Sequence, residues 1–113
     1  MILLSGHVSR NAYICTGASV VSQIGELRID LCLLGTNGLS IAEGVTDHDW
    51  EVAQVKKAVL RSSRQRAILC IAENLQSVQK FQVCHLNVID HLITELPADD
   101  EKLASYAQVC KIL

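Results

Sequence analysis

Residues 29–46, IDLCLLGTNGLSIAEGVT, constrain the fold more than any other part of this 113-residue chain. A continuous aliphatic run of strand length ends in a glycine-rich loop with almost no charge. The segment DHDWEVAQVKKAVLRSS follows at once with helical spacing of its apolar residues. Strand, glycine loop and helix in that order belong to α/β architecture, where ligands gather at the point at which strand carboxyl ends meet loops. Such a loop suits a small polar molecule without specifying which one.

The rest of the chain repeats the alternation. Apolar runs over residues 2–4, 12–15, 67–72, 88–94 and 109–113 read as strands. Residues 18–27 read as a helix with Val20, Val21 and Ile24 inward and Gly25 weakening its end. Thr46 can cap the next helix, with Asp49 three residues on, and Trp50, Val52, Ala53, Val55 and Val59 give an apolar face to about Leu60. Residues 73–80 are polar and irregular. Pro97 suits the first position of a last helix, whose dipole Asp99, Asp100 and Glu101 complement, running to about Gln108. This order predicts one α/β domain, a Rossmann-like, mostly parallel sheet flanked by helices. Half the residues are hydrophobic but only 4% are aromatic, so Val, Ile, Leu and Ala must build the core, as suits strands buried on both faces.

Several classes fall away. A formal net charge of −2 gives no global basic field for non-specific nucleic-acid binding. No apolar run reaches the length of a membrane span, and no leader is evident, so a cytoplasmic location is expected. The five cysteines, 15, 32, 70, 84 and 110, are widely spaced, form no C-x-x-C and read as reduced thiols. His7, His48, His85 and His91 show no metal spacing, and neither a metal nor a cofactor is implied. No G-x-S-x-G elbow or paired-carboxylate site is present, so catalysis has no support in the sequence.

Three features remain as candidate sites, each with a plainer reading. Gly35, Thr36, Asn37 and Gly38 could hold hydroxyls or a phosphate, or Asn37-Gly38 could be a tight turn with positive φ. Glu43, Gly44, Val45 and Thr46 stand where a helix N-terminus favours an anion, or form only a capped loop. Lys56, Lys57, Arg61, Arg64 and Arg66 place half of the ten basic residues within eleven positions. They form either a solvated helix face or a phosphate contact. Lys56 is the best candidate for a charged ligand contact, the alternative being a surface pair with Glu51.

Six short motifs in order resemble the carboxy-terminal half of the effector-sensing domain of DeoR-type bacterial transcriptional regulators. The early Gly pair is represented by Ser5-Gly6-His7, and the Thr/Ser-Gly by Thr16-Gly17. The strand D-x-x-F-x-G-x-x-G is matched by Asp30-Leu31-Cys32-Leu33-Leu34-Gly35-Thr36-Asn37-Gly38. G-L-T is Gly44-Val45-Thr46, and E-A-x-V-K-R is Glu51-Val52-Ala53-Gln54-Val55-Lys56-Lys57. The last strand, I-D-x-L-I-T-D, is Ile89-Asp90-His91-Leu92-Ile93-Thr94-Glu95. His7 stands where the family has a second glycine, and Glu73-Asn74-Leu75-Gln76 where it has D-x-x-K.

The resemblance implies a fold like ribose-5-phosphate isomerase and glucosamine-6-phosphate deaminase, used to sense a phosphorylated sugar or related metabolite rather than convert it. It implies a homo-oligomer that meets DNA only through an amino-terminal helix-turn-helix. That element and the first part of the sensor domain are expected outside residues 1–113, making this a partial, C-terminal portion of the domain. Gly6, Gly35, Thr36, Asn37, Gly38, Glu43, Gly44, Thr46 and Lys56 are the expected ligand-side residues. Two alternatives stay open: an isomerase or deaminase with Glu43 or Asp47 as base, and a purely structural assembly domain.

Overall fold

The computed structural model describes residues 1–10 and 12–113. Its centre is a four-stranded, all-parallel sheet. It comprises β3 (Ile29–Gly35), β6 (Ser63–Leu69), β8 (His91–Ile93) and β9 (Lys111–Ile112), side by side in that order. The continuous aliphatic run from Ile29 therefore forms β3, an edge strand in register with β6 through Leu31 opposite Gln65 and Gly35 opposite Leu69. A three-stranded antiparallel sheet, β4 (Gly38–Ser40), β5 (Gly44–Asp47) and β7 (Phe81–Cys84), covers one side of the core. Near the amino terminus β1 (His7–Val8) and β2 (Cys15–Thr16) make a two-rung antiparallel ladder.

The long helix α2 (Trp50–Ser62) starts at Asp49, whose carboxylate accepts hydrogen bonds from the N–H groups of Glu51 and Val52 at 2.9 and 3.3 Å. That satisfies donors a helix start otherwise leaves open. Thr46 is therefore not the cap. It lies inside β5, buried, and its Oγ1 accepts from Gln79 N at 2.8 Å. Helix α2 buries two sides. Val55 and Ala58 meet Val20 and Ile24 of α1 (Ala18–Gly25), while Ala53 and Leu60 enter the main core with Cys32, Ile68 and Leu92. At its far end Ser63 Oγ donates to Val59 O and Arg66 Nε to Leu60 O, so the last-turn carbonyls are occupied.

Several expectations are corrected. Residues 2–4 form no strand, because no neighbouring strand pairs with them; Ile2 and Leu3 are exposed. The strand expected over 12–15 begins only at Cys15. The strand expected over 67–72 starts earlier, at Ser63, through Arg64 and Gln65, whose side chains reach solvent. Pro97 does not open a helix; Asp100 caps a 3-10 turn, Glu101–Leu103, that leads into the short α3 (Ala104–Ala107). Burial on both sheet faces holds only in part. Side chains alternate along a strand, and Cys32, Ile68 and Leu92 on one face are buried while Leu31 and Leu33 on the other are 50% and 60% exposed.

One buried polar triangle locks β4 and the loop before β7 to α3. Tyr106, fully buried, donates its hydroxyl to Leu39 O at 2.9 Å and accepts from Gln76 N at 3.0 Å. Gln76 N also donates to Leu39 O at 2.7 Å, with Gln76 itself in left-handed backbone at φ 60°. Tyr106→Phe leaves the ring packed but strips the hydroxyl from both partners. It should lower unfolding free energy by about 1–3 kcal/mol in urea melts, with an unchanged slope.

Candidate functional site

A cavity of about 380 Å³ opens where β3 ends and α2 begins. Its polar wall comes from two directions: Gly35, Thr36 and Asn37 from the end of β3, and Asp47, His48, Asp49 and Lys56 from the end of β5 and the first turns of α2. Ala12, Ile14 and Val52 supply apolar surface. A second hollow of about 470 Å³ shares Gly35 and Thr36 and continues along the ends of β6 and β8 to Cys70, Asn74, Thr94 and Glu95. Together they form a cleft along the carboxyl ends of the parallel strands, the usual ligand position in open α/β sheets.

The charge centre of this cleft is a buried ion pair. Lys56 Nζ donates to Asp47 Oδ2 at 2.7 Å and to Gly35 O at 2.8 Å. Asp47 is 1% exposed and fully engaged. Its Oδ1 accepts from Asp49 N at 3.1 Å, and the Asn37 amide, oriented as a donor, reaches Oδ2 at 3.0 Å and Oδ1 at 3.2 Å. Lys56 thus does not pair with Glu51 on the helix surface. It keeps one ammonium N–H unused beside the cavity.

The loop serves its own structure as well. Thr36 Oγ1 donates to Gly38 O at 2.8 Å and accepts from Gly38 N at 3.3 Å, which spends its hydroxyl on the loop. The tight-turn reading of Asn37-Gly38 fails, since neither residue has positive φ and Gly38 already belongs to β4. Gly38 is needed for close approach: a Cβ there would lie 2.7 Å from Thr46 Oγ1 and 3.0 Å from Ser77 O.

Of the nine residues expected at the ligand, Gly35, Thr36, Asn37 and Lys56 meet at one cavity. Gly6, Gly38, Glu43, Gly44 and Thr46 do not line it. Gly6 packs against Val20, and Glu43 sits exposed in the turn between β4 and β5. Gly44, at φ +73°, lets that turn pass close to the Cys84 and His85 backbone. The idea of an anion-binding helix start over residues 43–46 also changes. The helix N–H groups belong to residues 51 and 52, and the Asp49 carboxylate already holds them. Sequence reasoning missed His48 and Asp49 as wall residues and named Asp47 only as a possible base.

The Cys70 thiol in the cleft wall is not activated. Burial, reinforced by the negative charge of Glu95, pushes the Cys70 thiol up to about 11. Glu95 is held below the usual carboxylate range by its own backbone N–H, the Thr94 hydroxyl and the Ala72 N–H. Among the described residues no group of three or more His, Cys, Asp or Glu side chains is gathered to hold a metal.

A parallel sheet with a polar cleft along its carboxyl edge defines an open-sheet α/β domain. Residues 1–96 match the model of the DeoR C terminal sensor domain, and the chain belongs to that family. It is 30% identical over 93 residues to the HTH-type transcriptional repressor GlcR of Bacillus subtilis, covering 82% of this chain and 36% of that protein. It is 26% identical over 78 residues to the glycerol-3-phosphate regulon repressor of Haemophilus influenzae, covering 69% of this chain and 31% of that one. An uncharacterised HTH-type regulator of Escherichia coli, YgbI, is 26% identical over 95 residues, 84% of this chain and 37% of that protein. The chain therefore spans about a third of the length of these relatives. No helix among the described residues is long and apolar enough to cross a membrane.

Two outcomes follow from the site. Lys56→Met strands a buried carboxylate and should cost about 3 kcal/mol or more, whereas Asp47→Asn, which leaves a lysine able to swing toward water, should cost clearly less. Paired urea melts decide the order. Cys70 should react with iodoacetamide at pH 8 about a hundredfold more slowly than an ordinary thiol, its rate climbing toward pH 11, as followed by mass spectrometry of the labelled peptide.

Proposed function

We propose that this chain is the effector-sensing and oligomerising region of a DeoR-type transcriptional repressor, responding to a phosphorylated sugar or a related metabolite without converting it. The observation that carries the reading is the convergence of Gly35, Asn37, Asp47 and Lys56 at one cavity on the carboxyl edge of the parallel sheet. Domain membership and the repressor relatives support the regulatory role. The glycerol-3-phosphate regulon repressor names a phosphorylated polyol, which supports the chemical class of the effector.

The wall also indicates which end of such a ligand it holds. Asp47 and Asp49 offset Lys56, so this side of the cleft has no positive excess to hold a phosphate dianion. Backbone carbonyl, amide and ammonium groups together suit hydroxyls, each of which donates and accepts. The phosphate of the effector is then bound by other parts of the intact regulator. Asp47 is too fully engaged to serve as a general base, which favours sensing over isomerisation. DNA affinity belongs to a helix-turn-helix elsewhere in the parent, and the ligand acts by preferring one of its states.

The test is operator affinity of the intact regulator, read by fluorescence anisotropy across a panel of phosphorylated sugars and polyols. At least one should shift the operator affinity severalfold. Asn37→Ala should raise the effector concentration needed for half of that shift about tenfold, the loss of one polar anchor. Operator affinity indifferent to the whole panel would overturn the reading.

A further inference from the structure

We infer that the hollow where the last turn of α2 meets β7 is a second anion site, fitted to a compact phosphate dianion and separate from the sheet-edge cleft. It encloses about 340 Å³ and is lined by Lys57, Arg61 and Arg66 around an apolar floor of Leu60, Val83 and Cys84. Three cations thus face one concave space with no acidic residue in its wall. None of the three is paired with a carboxylate among the described residues.

The arrangement is held from beneath. Arg66 spends only Nε, donating to Leu60 O at 2.7 Å, so both terminal nitrogens of its guanidinium stay available. Asp90, the acid nearest by sequence pairing, takes the backbone N–H of Arg66 at 2.9 Å rather than its side chain. Lys57 Nζ sits 5.9 Å from the Trp50 ring centroid, which positions the ammonium without neutralising it. A helix C-terminus ordinarily repels anions. Here the Val59 and Leu60 carbonyls already accept from Ser63 Oγ and Arg66 Nε, which weakens that repulsion.

Phosphate fits better than a carboxylate. Two guanidinium groups and an ammonium supply more positive charge than a monoanion can use, and the guanidinium fork matches the spacing of phosphate oxygens. The apolar floor lowers the local dielectric and strengthens each contact. The site is also distinct from the cleft. Lys56 and Asp49 serve the cleft from the first turns of α2, while Leu60 and Arg61 serve the hollow from the last turn of this 13-residue helix. The shared chemistry is a terminal phosphate, free or carried by a small metabolite.

Two-dimensional amide NMR of the full chain, titrated at constant ionic strength with inorganic phosphate and separately with glycerol phosphate, tests this. The expected result is saturable shifts in residues 57–66 and 83–88 with at least one of the two. Tighter binding of inorganic phosphate would identify the free ion as occupant; tighter binding of glycerol phosphate would identify a phosphomonoester. Arg66→Gln should weaken the fitted Kd at least tenfold, but it also removes the helix-end cap. Arg61→Gln, whose side chain makes no hydrogen bond among the described residues, should show the same tenfold loss in a folded protein. No shift at 10 mM of either probe would overturn the proposal. So would shifts confined to residues 35–37 and 47–56, or an effect reproduced by sodium chloride.

Discussion

The ammonium of Lys56 is the point on which the cleft depends, because it fastens three elements that the chain brings together from separate places. It reaches the last carbonyl of β3, the last side chain of β5 and its own helix. Burying an ion pair yields little net stability, since desolvation of both charges offsets their attraction. What this pair supplies is position. With Asp47 saturated by Lys56, Asn37 and the Asp49 N–H, the glycine loop, the hairpin strand and the helix start have one mutual arrangement that leaves no charge unpaired. The groups beside Lys56 are thus already fixed in place, and a ligand that bound there would lose little ordering entropy.

The sheet behind this clamp is asymmetric. On one face Cys32, Ile68 and Leu92 pack under α2 and the antiparallel sheet; on the other, Leu31, Leu33 and Leu69 reach solvent beside the open edge of β3. Parallel sheets are ordinarily covered on both faces, because their crossovers place helices there. The apolar residues of β3 are thus distributed as for a covered strand, which is why the sequence reads as a continuous hydrophobic run with no alternation. The chain spans about a third of its repressor relatives.

The legible parts of the fold were those whose signal is local. The run at 29–34 became β3, residues 18–27 became α1 shortened to Gly25, and the apolar face over 50–60 became α2. Strands β4, β5 and β7 were not legible: they are three or four residues long and draw their stability from pairing with one another rather than from a pattern in any one of them. That gap misled the site reading. Residues 43–46 contain a glycine, a threonine and an acid just before a helix, and without sight of β5 they looked like its cap. That Gly35, Thr36 and Asn37 border a cavity with Lys56 was legible because a loop at a strand's carboxyl end opens on the sheet edge by topology alone. The partner of Lys56 was hidden because Asp47 stands nine positions earlier, across a helix cap, outside any i, i+4 rule.

The two neighbouring lysines show how far chemistry can diverge between adjacent residues. Successive positions on a helix point about 100° apart. Lys56 consequently turns into the cleft, where two acceptors engage it, and Lys57 turns toward Trp50 and the basic hollow. A run of five basic residues in eleven positions looks like one patch in the sequence. In three dimensions it is divided: one charge is consumed in holding the sheet-edge cleft together, three face a separate concavity, and Arg64 points to solvent. A charge cluster in a sequence is therefore not yet a charged surface. The helix phase and the pairing of each member decide which cations remain available to a ligand, and here Lys57, Arg61 and Arg66 are the ones left unpaired around the hollow.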